Sequence, residues 1–420
     1  MLGIPHPYLT EGIRGLGGII KEKPEDFAVE EVPLYHACGE GEHTYFEVEK
    51  TNLSTLEAVD RLSRELGRDF REFGFAGLKD RRGITRQVLS VADCPPDRVD
   101  SLELGRLRVL WARRHTNKLR VGHLRGNRFH VRIRETNPQA RASAEPILDV
   151  IGEKGLPNYF GPQRFGSRGD AQWVGRALLS WNDEGAVRRI LGCPSPVEGN
   201  PGVVAARYLF LQYRWQEALE TFPRNYSEER KVLRYLLRHG ENYRGARRQI
   251  RPDVLKLFFT AYQSYIFNRG LDQRLRLSDG ELGRFYPGDV AFVHRNGALF
   301  RIDDPETLKE RAQSFEISPS GPIFGKKTLI CEDGPQRAID ERLLEDENLS
   351  QRDFHKLQQW ARLEGGRRAF RIPVEKLEWR FEGDDMVLKF FLPKGSFATT
   401  LLRELMKNDH AAPGFFARDR

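Results

Sequence analysis

Strand-like alternation at both ends of the chain, with a long stretch of helical spacing between them, most restricts how this sequence folds. In Asn127–Arg134 apolar residues occupy every second position, and Met386–Leu392 is strand-like again before Pro393-Lys394-Gly395. The N-terminal part also carries one clear helix. Ser54-Thr55-Leu56-Glu57 reads as a capping box, and Leu56, Val59, Leu62 and Leu66 follow at helical spacing up to Gly67. Phe73–Ala76 and Gln87–Val91 are strand-like and flank a polar loop, so Asp80 falls on a tight connection where a side chain can face a cleft. Pro157–Gly169 is a Gly- and Arg-rich hinge, after which the chain is mainly helical to about Gly365. Its best helix begins at Pro252 and runs past Ser264, with Val254, Leu257, Phe258, Ala261, Tyr262, Tyr265 and Ile266 as its stripe. A short helix with Leu401, Leu402, Leu405 and Met406 closes the pattern. The outline is an α+β core in two parts, 1–156 and 366–420, flanking a large insertion, 157–365.

Charge sharpens this outline. The chain holds 68 Lys plus Arg against 60 Asp plus Glu. Ten of the cations lie between Arg106 and Arg134, a span of 29 residues without Asp or Glu; outside it the balance is 58 to 60. A strand presenting such cations on one face suits a polyanion, because neutralising phosphates releases condensed counterions. A solvated strand face is the usual meaning of a charge run. The absence of acids across this one favours RNA or DNA.

Other classes are disfavoured. Apolar residues at 39% and aromatics at 10% suffice for real cores. A mean hydropathy of −0.58 and a longest uncharged run of twelve residues, Leu257–Asn268, argue against a membrane span. The Met1–Pro7 start lacks a basic and then apolar leader pattern, and the four cysteines form no Cys-x-x-Cys pair, which suits a reducing interior. Gly15-x-Gly17-Gly18 lacks the third glycine of a dinucleotide fingerprint. Gly321–Lys326 has one spacer too few for a phosphate loop. The ten histidines are scattered, and Asp303-Asp304 and Asp384-Asp385 read as turn and end markers. The expectation is an enzyme or binding protein without metal or organic cofactor.

Four segments, in order, resemble the TruD family of tRNA pseudouridine synthases. They are Lys21-Glu-Lys-Pro-Glu-Asp-Phe27; Phe75-Ala-Gly-Leu-Lys-Asp80-Arg-Arg-Gly-Ile-Thr-Arg-Gln87; Gly126-Asn-Arg-Phe129 with Pro157-Asn-Tyr-Phe-Gly-Pro-Gln-Arg-Phe-Gly166; and Phe391-Leu-Pro-Lys-Gly-Ser-Phe-Ala-Thr-Thr400. The middle of the chain matches less sharply, chiefly through Ala261–Tyr265. The resemblance implies an α+β pseudouridine-synthase core, a mixed and mostly antiparallel sheet with flanking helices, plus a large, mainly helical α/β insertion domain. It implies isomerisation of a uridine in tRNA, by analogy uridine 13, in the cytoplasm, without cofactor.

It also implies roles. Asp80 is the catalytic nucleophile or base, and Lys21 favours its ionised form. Phe129 stacks on the uracil, Phe27 and Phe397 line the pocket, and Asn127 hydrogen-bonds the base or its sugar. Arg81, Arg82 and Arg164 are candidate RNA contacts. The alternation of β-structure turns Arg128, Arg132 and Arg134 away from Phe129, toward phosphates or packing. Two alternatives stay open: a non-catalytic RNA-binding protein with an idle Asp80, and a synthase acting on other RNAs. Protein partners are not indicated.

Overall fold

The computed structural model describes residues 6–195, 198–356 and 363–408. Met1–Pro5, part of the start considered above for a leader, and the final stretch of the 366–420 segment lie outside the described residues. The chain divides into two compact units. Residues 10–156 and 372–408 form one; residues 6–9 and 157–371 form the other.

The first unit is built on a sheet of eight strands. In chain order its first six are β1 (Phe27–Pro33), β2 (His43–Thr51), β3 (Gly74–Phe75), β4 (Ile84–Ala92), β5 (Leu107–His115) and β6 (Leu124–Ile133). Glu375–Glu382 and Asp385–Pro393 complete it. Across the sheet the order is Glu375–Glu382, Asp385–Pro393, β6, β1, β4, β2, β5, with β3 paired to β4. Among the described residues of this sheet, only β1 and β4 run parallel. The register sets Glu31 opposite Asn127 and Val29 opposite Phe129 on one face. It sets Glu30 opposite Arg128, which therefore share the other face.

Helix α1 (Thr55–Leu66) covers part of the first face. Ser54 and Glu57 form the capping box, Gly67 terminates the helix at φ +62°, and Ala58, Val59, Leu62 and Leu66 pack on Phe46, Val48 and Leu89. Leu56, expected in that stripe, is 45% exposed; Ala58 takes the inward position. The helix Ala398–Met406 buries Leu401, Leu402 and Leu405 and packs against Ala144–Lys154.

The second unit combines helices with a four-stranded sheet ordered Gly366–Ala369, Ile317–Ile323, Val290–Val293, Leu299–Arg301. Pairing with Ile317–Ile323 places Gly366–Ala369 in this unit rather than in the first. Ile317–Ile323 holds two prolines and a glycine, residues that hide a strand from propensity. It also absorbs the start of the segment tested above as a phosphate loop. The helix starting at Pro252 extends to Leu277. It buries Leu255, Phe259, Tyr262 and Ile266, whereas Leu257 is 64% exposed, so the inward face is rotated by about one residue from the expected stripe. Gln263, Ser264, Asn268, Asp272 and Arg274 are also buried, as in a helix enclosed on most sides.

Candidate active site

Asp80 lies in the Lys79–Gly83 loop that joins β3 to β4 and reaches the first face of the sheet at the start of β1. Gly83 (φ +124°) closes the loop. A Cβ there would come within 2.3 Å of the Phe27 carbonyl oxygen, so the loop can approach β1 this closely only with glycine. Asn52 accepts from Gly83 N–H through Oδ1 at 3.1 Å and donates its own N–H to the Gly83 carbonyl at 3.0 Å.

The Lys21 ammonium meets Asp80 Oδ2 at 2.9 Å, with side chains 3% and 25% exposed. Lys21 thus brings a nearly buried charge to a carboxylate that solvent, or a ligand, can still reach. Its Nζ also lies 4.0 Å from the Phe27 ring centroid. The lysine holds φ at +59°, a left-handed conformation costing about 1–2 kcal/mol. The turn that imposes it is clamped. Asp26, buried, accepts two hydrogen bonds from Arg134 at 2.6 and 2.8 Å and one from Lys23 N–H at 2.7 Å. Arg134 in turn exchanges backbone bonds with Ile19. Lys21 and Phe27 are thereby fixed on either side of one ion pair.

Phe27 meets Phe129 edge-on at 6.1 Å, and Phe129 stacks on Phe390 at 5.1 Å. These rings make an aromatic wall beside the Lys21–Asp80 pair. Phe129 is itself largely buried, with one ring face occupied by Phe390.

Lys79 points elsewhere. Its ammonium reaches Glu31 at 2.5 Å and donates to Asn127 Oδ1 at 2.9 Å. Holding Oδ1 on an ammonium leaves the Asn127 Nδ2 hydrogens as the outward donors. Glu31 is enclosed, and burial pushes its carboxyl above the usual range although Lys79 pulls the other way. Lys50, also buried, donates to the Leu53 carbonyl at 2.6 Å. Burial and the neighbouring Lys79 bring its amine down to about 8, against the opposing pull of Asp80 and Glu57. The loop backbone is tied by Lys79 N–H to Thr55 Oγ1 at 2.9 Å, and Thr55 donates to Gln87 at 2.8 Å.

The structure therefore brings Lys21, Phe27, Asp80 and Phe129 together, with Asn127 joined through Lys79. Phe397 is half-buried at the start of the helix Ala398–Met406, just past the strand whose Leu392 lies opposite Asn127. Arg81 is exposed and faces Glu57 at 3.3 Å; Arg82 is exposed on the same loop. Arg164 belongs to the second unit, where its Nε donates to Ser264 Oγ at 2.9 Å and its guanidinium sits 5.4 Å from the Phe160 ring. Sequence reasoning passed over Asp26, Lys79 and Gln87, though all three lie inside the quoted motifs, and over Glu31, which pairs with Lys79, and Lys50, buried near it; Arg134, expected to serve phosphates or packing, packs by holding Asp26.

Several cations of the acid-free run meet acids from other segments. Arg128 pairs with Glu30 at 2.9 Å, Arg132 with Glu382 and Asp385 at 2.5 and 3.1 Å, and Arg108 with Glu49 at 2.8 Å. For these three the acids come from neighbouring strands. Asp385 is accordingly an ion-pair partner, not simply an exposed end.

A carboxylate and ammonium on an aromatic wall, over a mixed and mostly antiparallel sheet, fit an RNA-modifying isomerase of the pseudouridine-synthase class. Residues 3–405 match the family model described as tRNA pseudouridine synthase D (TruD). Tests against individual proteins agree. The chain is 43% identical over 403 residues to a tRNA pseudouridine synthase D from Geotalea daltonii, covering 96% of this chain and all of that one. It is 38% identical to one from Thermus thermophilus, covering 96% and 92%. A crystal structure from Methanosarcina mazei, described as a "putative tRNA pseudouridine synthase D", superposes with a TM-score of 0.79 at 29% identity, covering 97% of each chain. The chain belongs to the tRNA pseudouridine synthase D family.

Proposed function

We propose that this protein isomerises a uridine of tRNA, by family analogy uridine 13, to pseudouridine in the cytoplasm, using its own side chains without a cofactor. The observation that carries this reading is the Lys21–Asp80 pair, a partly accessible carboxylate held by a buried cation against aromatic rings.

The reaction breaks the N1–C1′ bond, turns the uracil, joins C5 to C1′, releases the C5 proton and leaves a proton on N1. It is redox-neutral. It needs one ionised carboxylate, either attacking C1′ or taking the 2′-hydrogen, and Asp80 fills that role with Lys21 as its countercharge. A stacked uridine must first be extruded. The wall of Phe27 and Phe129 then shields the base from water, with Phe397 at the pocket margin. Asn127, its amide orientation set by Lys79, presents Nδ2–H to a uracil carbonyl. Arg81 and Arg82 contact the RNA backbone near the loop, and Arg164 does so from the second unit.

Asp80→Asn removes the ionised oxygen while keeping the shape. Tritium release from C5-labelled uridine in tRNA falls by at least about 10⁴-fold, with tRNA binding preserved. Retained turnover in that variant refutes the assignment. Carbodiimide-blocked reverse transcription of bulk tRNA, with and without the wild-type protein, separates a synthase from a non-catalytic binder and maps the uridine.

A further inference from the structure

Leu78, two residues before Asp80, is 65% exposed. A single exposed leucine is ordinary. What sets this one apart is the backbone around it. The Ala76 carbonyl accepts from Gly122 N–H at 2.8 Å, the Gly77 carbonyl accepts from Gln87 Nε2 at 3.3 Å, and Lys79 N–H donates to Thr55 Oγ1 at 2.9 Å. The chain is anchored on both sides of Leu78, whose side chain is left outside. The Gly122 turn, tied to the same segment, carries Val121, 75% exposed, beside the exposed Arg120. A fixed apolar lip with cations alongside therefore stands next to the candidate catalytic carboxylate.

Extruding a base leaves a gap in the stack, and proteins that unstack nucleic acids fill such gaps with apolar side chains. We propose that Leu78 is the wedge that enters the RNA stack in place of the extruded uridine and holds the open state. This rests on the proposed function, because only a reaction on an extruded base calls for a wedge. Leu78 takes no part in bond making; it positions the substrate.

The test compares wild type, Leu78→Ala and Leu78→Met on two substrates: folded tRNA, and a short single-stranded oligoribonucleotide carrying the same uridine, where no stack must be opened. Leu78→Ala lowers kcat/KM on folded tRNA by about tenfold and changes the oligonucleotide rate by less than about twofold, while Leu78→Met restores most of the tRNA rate. An equal loss on both substrates, or no loss on tRNA, overturns the proposal. A second readout is independent of turnover. In an Asp80→Asn background, 2-aminopurine placed beside the target uridine brightens on binding, and Leu78→Ala suppresses that rise; an undiminished rise refutes the wedge. If the wild-type protein converts no uridine in tRNA, the proposed function fails, whatever Leu78 does.

Discussion

The two faces of the first unit's sheet carry similar charges to opposite ends. On the face with Asp80, Lys21, Lys79 and Glu31 have side chains no more than 5% exposed, and Lys50 is buried beside them. On the other, Arg128 and Glu30 are 51% and 43% exposed, and Arg86 and Arg108 share Glu49. Water screens the second set, so each pair contributes about 0–1 kcal/mol. The first set has been taken out of water, where an unmatched charge is expensive and a field persists over the site. Burial, not the number of cations, distinguishes a candidate site from a solvated surface.

If that contrast holds, Asp80→Asn has the largest effect, the loss of turnover given above. Next comes Lys79→Met. It strands Glu31 in a buried position and lowers stability by about 3–5 kcal/mol in chemical denaturation. The sign with pH follows from Glu31, whose folded carboxyl already titrates above its unfolded value. Removing Lys79 raises it further, so the folded state binds the proton more tightly and the variant loses stability as pH climbs above the unfolded value. A Lys79→Met/Glu31→Gln double variant recovers much of the loss. Lys21→Met follows, lowering kcat by about 10²-fold with little change in tRNA affinity. Parity with wild type would mean that the ion pair is structural only.

Why the sequence exposed one face better than the other is a matter of distance along the chain. Asp80 and Lys21 stood in motifs long enough to be recognised, and α1 announced itself through its capping box and Gly67. The acids that neutralise Arg128 and Arg132 come from residues as distant as Glu30, Glu382 and Asp385. Only strand pairing brings them together, so a local count of charge could not tell these paired cations from the rest of the run. The Lys79–Glu31–Asn127 link escaped for the same reason, being formed across three segments. Ile317–Ile323 stayed hidden because its place in a sheet depends on its neighbours rather than on its composition.

Lys50 provides a finer measure of the buried face. Its amine loses its proton at about pH 8, and Asp80 is among the groups that favour the charged form. As pH rises through that value, a cation close to the carboxylate and the incoming RNA disappears, and kcat/KM on tRNA declines severalfold. In Lys50→Met that limb is flat. A wild-type profile level to pH 9.5 (about 1.5 units past the titration) would show that Lys50's charge does not reach the reaction.

The smallest effect belongs to the opposite face. Arg128→Ala removes a cation whose charge Glu30 already balances, so tRNA affinity and its salt dependence stay within error of wild type and stability shifts by less than about 1 kcal/mol. The complementary variant is more discriminating. Glu30→Ala leaves Arg128 uncompensated on an exposed strand, and non-specific RNA binding then strengthens with a steeper salt slope, by about one counterion. Should Arg128→Ala alone weaken tRNA binding and flatten its salt slope, the pairing yields to RNA on contact, and this strand face would have to count as part of the substrate surface.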